Sequence, residues 1–282
     1  MITCKSSREI DKMRTSGRVT ARALHKLKAA VAPGVTTFEI DRYAEELIRG
    51  DGGTPAFLGY HGFSGSICTS VNDEVVHGIP GKRRLQQGDL LKIDIGSCVD
   101  GWFSDMACTV AVGTVDPYAQ RLIDVTAEAL ERGIGEVRAG AHLSDIGHAV
   151  QTFVEGESFS VVRALVGHGI GLSLHEEPAV PNYGRKGTGP MLKAGMVLAI
   201  EPMVNAGTWK VRTQADKWTV VTGDGGLSAH FEHTVAVLED GCEILTALDA
   251  AAARVYSPAA RHDDTGGELG APETFGRIQA VG

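Results

Sequence analysis

Two pairs of similar segments recur at nearly one spacing along this chain, and that spacing constrains the fold more than any other feature. Leu85–Asp94 reads LQQGDLLKID and Leu192–Glu201 reads LKAGMVLAIE. Each has Leu, then Gly three residues later, an apolar run, and Ile followed by an acid; the two lie 107 residues apart. Gly34–Ile40 (GVTTFEI) and Gly140–Ile146 (GAHLSDI) also resemble each other, 106 residues apart. Any two strand starts look somewhat alike, but two matches at almost one offset indicate an internal duplication. The period is far longer than a solenoid repeat, so the expectation is two pseudo-symmetric halves in one α+β domain.

Local patterns follow the same period. Ser6 and Glu9 form a capping box. Behind it Ile10, Met13, Gly17, Ala21, Leu24 and Val31 recur at three- or four-residue steps or their multiples. That predicts a long amphipathic helix, stopped at Pro33-Gly34. Thr36 and Glu39 open a second helix with Ile40, Tyr43, Leu47 and Ile48 on its apolar face, ending near Gly52-Gly53. Strand patterns run from there to about Gly113. Asp116-Pro117 opens a third helix, Asp as cap and Pro at the first position, with Leu122, Ile123, Thr126, Ala129 and Leu130 facing inward. Gly140 closes that segment, Ser144 reads as the cap of a fourth helix through Phe153, and strands return to about Leu245. The order helix, helix, strands thus occurs twice. The expected domain spans residues 1–250, with halves at about 6–115 and 116–250. Residues 251–282 lose the periodicity and read as a flexible tail, in which His262, Asp263 and Asp264 are most simply solvated.

Composition sets the outer bounds. At 282 residues and 43% hydrophobic, the chain supports a sizeable core. A net charge of −8 argues against a nucleic-acid footprint. No stretch approaches the apolar length that spans a bilayer, and the start, MITCKSSRE, has no apolar signal core. Cys4, Cys68, Cys98, Cys108 and Cys242 form no CxxC pair, and their odd number fits reduced thiols. The expected location is the cytoplasm.

The acids are more informative. Leu90–Cys98 and Trp102–Val112 read as strands around a turn containing Asp100-Gly101. A four-residue loop sets Asp94 opposite Asp105, whereas a two-residue turn sets Asp94 opposite Ala107. In either register both carboxylates point to one face. Asp94 lies between Ile93 and Ile95, so the strand is expected to be buried, and two buried carboxylates that close require something cationic. Glu201 ends the run Met196–Ile200, is kept out of helix by Pro202, and corresponds to Asp94 in the repeat. Glu232 starts the strand Phe231–Leu238, with Thr234 and Ala236 on its face. One such acid is most simply a strand-end carboxylate in water or an ion pair. Four together, with no Lys or Arg spaced to neutralise them as a group, point to metal. Gly167–Pro178, GHGIGLSLHEEP, adds His168 and His175, but Gly169 and Gly171 interrupt any regular element, so spacing does not put both on one face. These glycines lack the third Gly and the helix of a dinucleotide loop, GRKGTG at Gly184 fails phosphate-loop spacing, and Gly62-Phe63-Ser64-Gly65 is not a serine-hydrolase elbow.

Five motifs in order carry a resemblance. They are TSVNDEVVHGIP (Thr69–Pro80), KIDIG followed by FSDMACT, VGHGIGLSLHEEP, IEPM (Ile200–Met203) and SAHFEHT (Ser228–Thr234). Together they resemble the methionine aminopeptidases of the short bacterial type, in the pita-bread metallopeptidase superfamily, from about Ser7 to Leu245. The resemblance implies a pita-bread fold, with helices outside an antiparallel sheet. It implies removal of the N-terminal methionine from nascent, deformylated proteins whose second residue is small. Asp94, Asp105, His168, Glu201 and Glu232 would ligate two divalent ions, with Asp105 and Glu232 bridging, Asp94 completing one site, and His168 with Glu201 the other. Oxygen ligands with one imidazole suit Co, Mn, Fe or Zn. Glu201 would also handle the proton, His175 would stabilise the developing oxyanion, and His77 would contact the scissile amide nitrogen. The methionine pocket would be lined by Tyr60, Phe63, Cys68, His77, Leu174 and Trp218. Phe57 and Val76 stand where the family commonly has cysteine, and Leu174 where it has Phe. A monovalent cation, Na or K, would sit around Asn72, Glu74 and Ser228, partly on backbone carbonyls. The expected protein is a monomer acting on nascent N-termini, with room for a transient ribosome contact and no nucleic-acid or membrane binding of its own.

Two rivals compete. An Xaa-Pro aminopeptidase or prolidase uses the same metal set but usually carries a sizeable domain before the catalytic half, and here the first helix starts near Ser6. A pita-bread protein that has become a binding module loses ligands, and all five are present. Cleavage of Met-Ala against Ala-Pro peptides separates the first, and metal content the second.

Overall fold

The computed structural model describes residues 2–248; the expected tail, with His262, Asp263 and Asp264, lies outside the described residues. Each half opens with two helices whose starts are set by short-range chemistry. α1 is Ser7–Ala30 and α2 is Thr37–Gly50. The Glu9 carboxylate accepts from the Ser6 N–H at 2.7 Å, and Glu39 from the Thr36 N–H at 2.7 Å, closing both capping boxes. On α2 the inward face is Ile40, Asp41, Ala44 and Ile48, and the expected Tyr43 is exposed instead. Asp41 takes the inner place because its carboxylate accepts the Ser66 and Ile67 N–H groups at 2.7 and 3.1 Å. α3 is Pro117–Gly135, capped by Asp116 through the Tyr118 N–H. α4 is Leu143–Gly156, and its cap is His142 rather than Ser144. Asp145 accepts from the His142 N–H at 3.0 Å, while the Ser144 hydroxyl donates to the Thr188 carbonyl.

The strands of the first half are β1 (Thr54–Pro55), β2 (Cys68–Val71), β3 (Glu74–Val76), β4 (Leu90–Val99) and β5 (Trp102–Ala111). Those of the second are β6 (Ser160–Val161), β7 (Gly167–Gly169), β8 (Glu176–Val180), β9 (Val197–Ile200), β10 (Met203–Asn205), β11 (Val211–Thr213), β12 (Val220–Thr222), β13 (Ser228–His230), β14 (Glu232–Leu238) and β15 (Gly241–Ile244). One nine-stranded sheet runs β1-β4-β5-β14-β9-β7-β8, with β2 beside β4 and β15 beside β14. Two small sheets, β13-β10-β6 and β11-β12-β3, complete the set.

The repeat is visible in the hydrogen bonds. Gly34 N–H donates to the Leu85 carbonyl (2.7 Å) and Leu85 N–H to that of Val35 (2.8 Å). In the other half Gly140 N–H donates to Leu192 (2.9 Å) and Leu192 N–H to Ala141 (2.8 Å). The bridges Thr36–Arg84 and His142–Met191 keep the same offsets.

Helices cover one face of the large sheet. Leu24, Leu27, Ile40 and Ile48 pack with Ile93, Ile95 and Cys108 of β4 and β5. Leu130, Ile134 and Ile146 do the same with Leu198, Ile200, Val235 and Val237 of β9 and β14. Under α1 the contact is polar: the Ser16 hydroxyl donates to the Ser97 carbonyl at 2.9 Å and Thr20 Oγ1 lies 2.7 Å from both Ser97 Oγ and Ser104 Oγ. Because strand side chains alternate, Asp94, Asp105 and Glu232 point away from this helical layer. No helix among the described residues is long and apolar enough to cross a membrane.

Candidate metal centre and its cavity

The β4–β5 hairpin sets the site. Val99 pairs with Trp102, so the turn is the two-residue one, with Asp100 at φ 50° and Gly101 at φ 82°. These left-handed angles give the turn that matches strand twist. Of the two registers open from sequence, it selects the one with Asp94 opposite Ala107 and Asp105 opposite Gly96. Ala107 pairs on its other side with Glu232, so Asp94 and Glu232 flank a small methyl. Asp105 is two residues along the same strand face. Its N–H donates to Thr234 Oγ1 at 2.9 Å, and that hydroxyl donates back to the Asp105 carbonyl at 2.8 Å. Thr234 pairs with Ala199, and Ala199 with His168. Glu201 follows directly on β9. Four neighbouring strands, β4, β5, β14 and β7, thus each deliver one of the five expected side chains, and the residue after β9 delivers the fifth.

As expected from Gly169 and Gly171, no regular element spans His168 to His175. Gly167–Gly169 is β7, squeezed between β8 and β9. A Cβ on Gly167 would lie 2.3 Å from the Ala199 carbonyl oxygen, and one on Gly169 2.3 Å from that of Glu177. Only glycine allows backbones that close. The return of the chain then sets His175 against His168, with ring centroids 4.2 Å apart and the rings tilted by 52°.

Electrostatics favour a cation. Ligand atoms of Asp105, His168 and Glu232 all lie within 4.8 Å of one another. His168 Nε2 is 3.6 Å from Glu201 Oε1 and 4.0 Å from Asp105 Oδ2. Its Nδ1 donates to the Gly169 carbonyl at 2.8 Å, which leaves the Nε2 lone pair facing the acids. Burial pushes Asp94 up to about 7. Burial first, and then neighbouring carboxylates, raise Asp105, Glu201 and Glu232 well above the usual carboxylate range. Burial lowers His168 to about 4, with help from His175. Asp94 Oδ1 and Glu232 Oε1 are buried with no hydrogen-bond partner among the described residues. Repelling, partnerless oxygens and a neutral imidazole form a donor set that fits divalent metal.

Beyond the acids opens a cavity of about 140 Å³. Asp94, Asp105, His168, Glu201 and Glu232 line one part of it, and Phe57, Tyr60, Phe63, Cys68, Leu174 and Trp218 another, with His77 and His175 also in the wall. Cys68 is paired with Asp94 in the sheet, which fixes pocket against acids. Phe63 meets Trp218 edge to face at 5.1 Å. Tyr60 Oη lies 2.7 Å from His175 Nδ1. His77 has φ 59°, and burial lowers its pKa to about 4. Phe57 lines the cavity, whereas Val76 packs away from it with Val75, Val162, Met203 and Val220.

The expected monovalent-cation group looks different. Glu74 is engaged by the Val71 N–H (2.6 Å) and Arg83 (3.1 Å). The Asn72 and Ser228 carbonyls do converge, but on the Lys92 ammonium, at 2.7 and 3.1 Å. Burial pushes the Lys92 pKa down to about 7, opposed by Glu74, Asp73 and Asp89. Lys92 was missed in the sequence reading; its signal is a lysine inside LLKIDI. His230 was missed too. It is buried with both ring nitrogens lacking a hydrogen-bond partner among the described residues, Nε2 lying 3.9 Å from Glu201 Oε2. Its spacing of two from Glu232 was the available signal.

Comparison with known proteins gives the same picture. Residues 11–239 match metallopeptidase family M24. The chain is 53% identical over 246 residues to methionine aminopeptidase 1 of Bacillus subtilis, covering 87% of this chain and 99% of that one. The crystal structure of a methionine aminopeptidase from Rickettsia prowazekii superposes with a TM-score of 0.86 at 44% identity, over 88% of this chain and all of that one. A prolidase from Pyrococcus furiosus is similar in fold, with a TM-score of 0.72 at 22% identity, but the match spans 66% of that chain.

Proposed function

We infer the function from one premise: this chain belongs to the methionine aminopeptidases of metallopeptidase family M24. Its reaction is hydrolysis of the first peptide bond of chains that begin with methionine. One observation carries this reading: a single cavity joins a buried, metal-fitting set of acids to an aromatic and thiol-lined pocket. Asp94, Asp105, His168, Glu201 and Glu232 would hold two divalent ions, of Co, Mn, Fe or Zn. Such ions supply Lewis acidity and a nucleophile from water at neutral pH.

The protein's own groups do the rest. A Tyr60 hydroxyl donating to His175 Nδ1 leaves Nε2 protonated, and desolvation holds the ring's pKa below its ordinary value. That N–H is suited to charge growing on the scissile carbonyl oxygen. His77, half-buried and with its pKa lowered to about 4, is suited to the amide nitrogen. Glu201, with Oε1 3.6 Å from His168 Nε2 at the edge of the cavity, is placed to take a proton and return it to the leaving amine. Phe63, Trp218, Tyr60 and Cys68 exclude water from the first side chain and offer ring edges to a thioether. Deformylated nascent chains in the cytoplasm, with a small second residue, are the substrates this reading implies.

The test is kcat/KM for Met-Ala-Ser, Leu-Ala-Ser, Met-Lys-Ser and Ala-Pro-Ser with one metal at saturation. Met-Ala-Ser should lead. Shape alone discriminates by about 1–3 kcal/mol, so Leu-Ala-Ser should be poor rather than inert. Chelation should abolish turnover, and added Co or Mn should restore it. Strong cleavage of Ala-Pro-Ser with none of Met-Ala-Ser would hand the site to Xaa-Pro chemistry. Equal rates for Met-Ala-Ser and Met-Lys-Ser would remove the small second residue.

A further inference from the structure

Lys92 interrupts the apolar run of β4 and is 1% exposed, a burial that lysines almost never reach without something to hold their charge. It lies on the same strand face as Asp94, two residues before it. Its ammonium nevertheless turns to two backbone carbonyls, those of Asn72 (2.7 Å) and Ser228 (3.1 Å). These come from distant segments. Asn72 forms the β2–β3 turn at φ 58°, its side chain accepting from the Leu90 N–H and donating to Asp89, both at 2.9 Å. Ser228 opens β13, and its own N–H also donates to the Asn72 carbonyl at 3.1 Å. Two carbonyl dipoles aimed at one buried point repel unless positive charge lies there. Asp73, Glu74 and Asp89 add negative potential around it.

We propose that the Lys92 ammonium is a built-in monovalent cation, a positioning group that holds the His77 segment and the Glu232 strand in register with Asp94 without Na⁺ or K⁺. The proposal rests on the function inferred above, because its value lies in what those segments carry. β3 runs straight into His77, β13 ends at His230 two residues before Glu232, and β4 continues to Asp94. An alkali ion would satisfy the same carbonyls but would come and go with concentration. A tethered amine cannot leave the site when the salt changes.

The test uses the full chain in chloride salts of K⁺, Na⁺ and tetramethylammonium at equal ionic strength. It reads the thermal midpoint of the metal-free protein, and kcat and KM on Met-Ala-Ser with divalent metal saturating. Wild type should give one midpoint and one kcat in all three salts. Lys92→Ala, which opens space, should lose at least about 5 °C in tetramethylammonium and at least about tenfold in kcat, with KM little changed. K⁺, Na⁺ or ethylammonium should restore both saturably. Lys92→Met keeps the stem without the charge, so it should show the loss and no recovery. A wild-type midpoint that rises saturably with K⁺ or Na⁺ overturns the proposal and needs no variant to fold. A Lys92→Met that behaves as wild type overturns it too, as does a Lys92→Ala loss that no cation restores. If wild type shows the midpoint pattern yet leaves Met-Ala-Ser uncut, the function fails and the internal cation stands.

Discussion

Asp105 shows how much of a metal site is stored electrostatic strain. Its carboxyl is buried against Asp94 and Glu232 and is raised well above its ordinary range, so without a cation it opposes the fold it sits in. We predict that Asp105→Asn lowers kcat/KM at least about a hundredfold, as expected for loss of a key charged group. The same change should raise the metal-free thermal midpoint by about 2–4 °C, the shift that corresponds to about 1 kcal/mol in a chain this long. Calorimetry of chelated protein, beside metal analysis and kinetics, reads both; a lowered metal-free midpoint would count against the repulsion. His175 is a different kind of residue, since nothing requires it to hold metal. His175→Ala should cost about 10²–10³ in kcat at unchanged metal content. Tyr60→Phe, which frees Nδ1 and lets both tautomers coexist, should cost about tenfold or less, again without loss of metal. Metal lost in proportion to activity in His175→Ala would make this histidine a ligand. The acids were legible only as a group of four with no Lys or Arg spaced to neutralise them, since each alone reads as a strand-end carboxylate. Lys92 and His230 were not, because a single buried lysine or histidine announces nothing until its partners are known.

At the scale of elements, the chain is most legible where one residue dictates local geometry and least where two segments must meet. The α1, α2 and α3 starts follow from Ser6/Glu9, Thr36/Glu39 and Asp116-Pro117 because cap and acceptor are within three residues. α4 was placed on Ser144, whose hydroxyl in fact serves Thr188, a residue 44 positions away. The hairpin was read in two registers, and the left-handed Asp100-Gly101 turn chose between them. Gly169 and Gly171 read as interrupting regular structure, and they do; the close approach of β8 and β9 that demands Gly167 and Gly169 is not visible locally. That close approach gives a test. Gly169→Ala puts a Cβ 2.3 Å from the Glu177 carbonyl oxygen, so β7 and β8 must part. We expect a loss of about 1–3 kcal/mol in urea unfolding, the usual cost of overpacking, and weaker metal retention as His168 shifts. A variant with wild-type stability and metal content would mean that the strands adjust freely.

Over the whole molecule, the proposed metal ligands come from both halves. Asp94 and Asp105 come from the first half, and His168, Glu201 and Glu232 from the second, with β5 against β14 as the seam. An ion held by both halves stabilises their union by mass action, by about 2.7 kcal/mol at a hundred times its Kd. Metal loading should therefore raise the thermal midpoint by about 5–10 °C over the chelated protein. Hydrogen exchange should slow in β4 and β5 as well as in β9 and β14. Protection confined to one half would show that the ions do not bridge the seam.

What the sequence determined by itself is whatever depends on neighbours along the chain: the capped helices, the alternation that sends Asp94 and Asp105 to one face, and the duplication at 106–107 residues. Its motifs carried the family because five of them stand in order. Tertiary structure alone decided the rest. It ranked β4, β5, β14, β9 and β7 side by side, although those strands are spread from Leu90 to Leu238. It turned the Asn72 and Ser228 carbonyls onto the Lys92 ammonium, and it turned His230 toward Glu201. The physical reason is the same in each case. Burial sets the charge state and partner of a polar group, and burial comes from segments that the local sequence does not name.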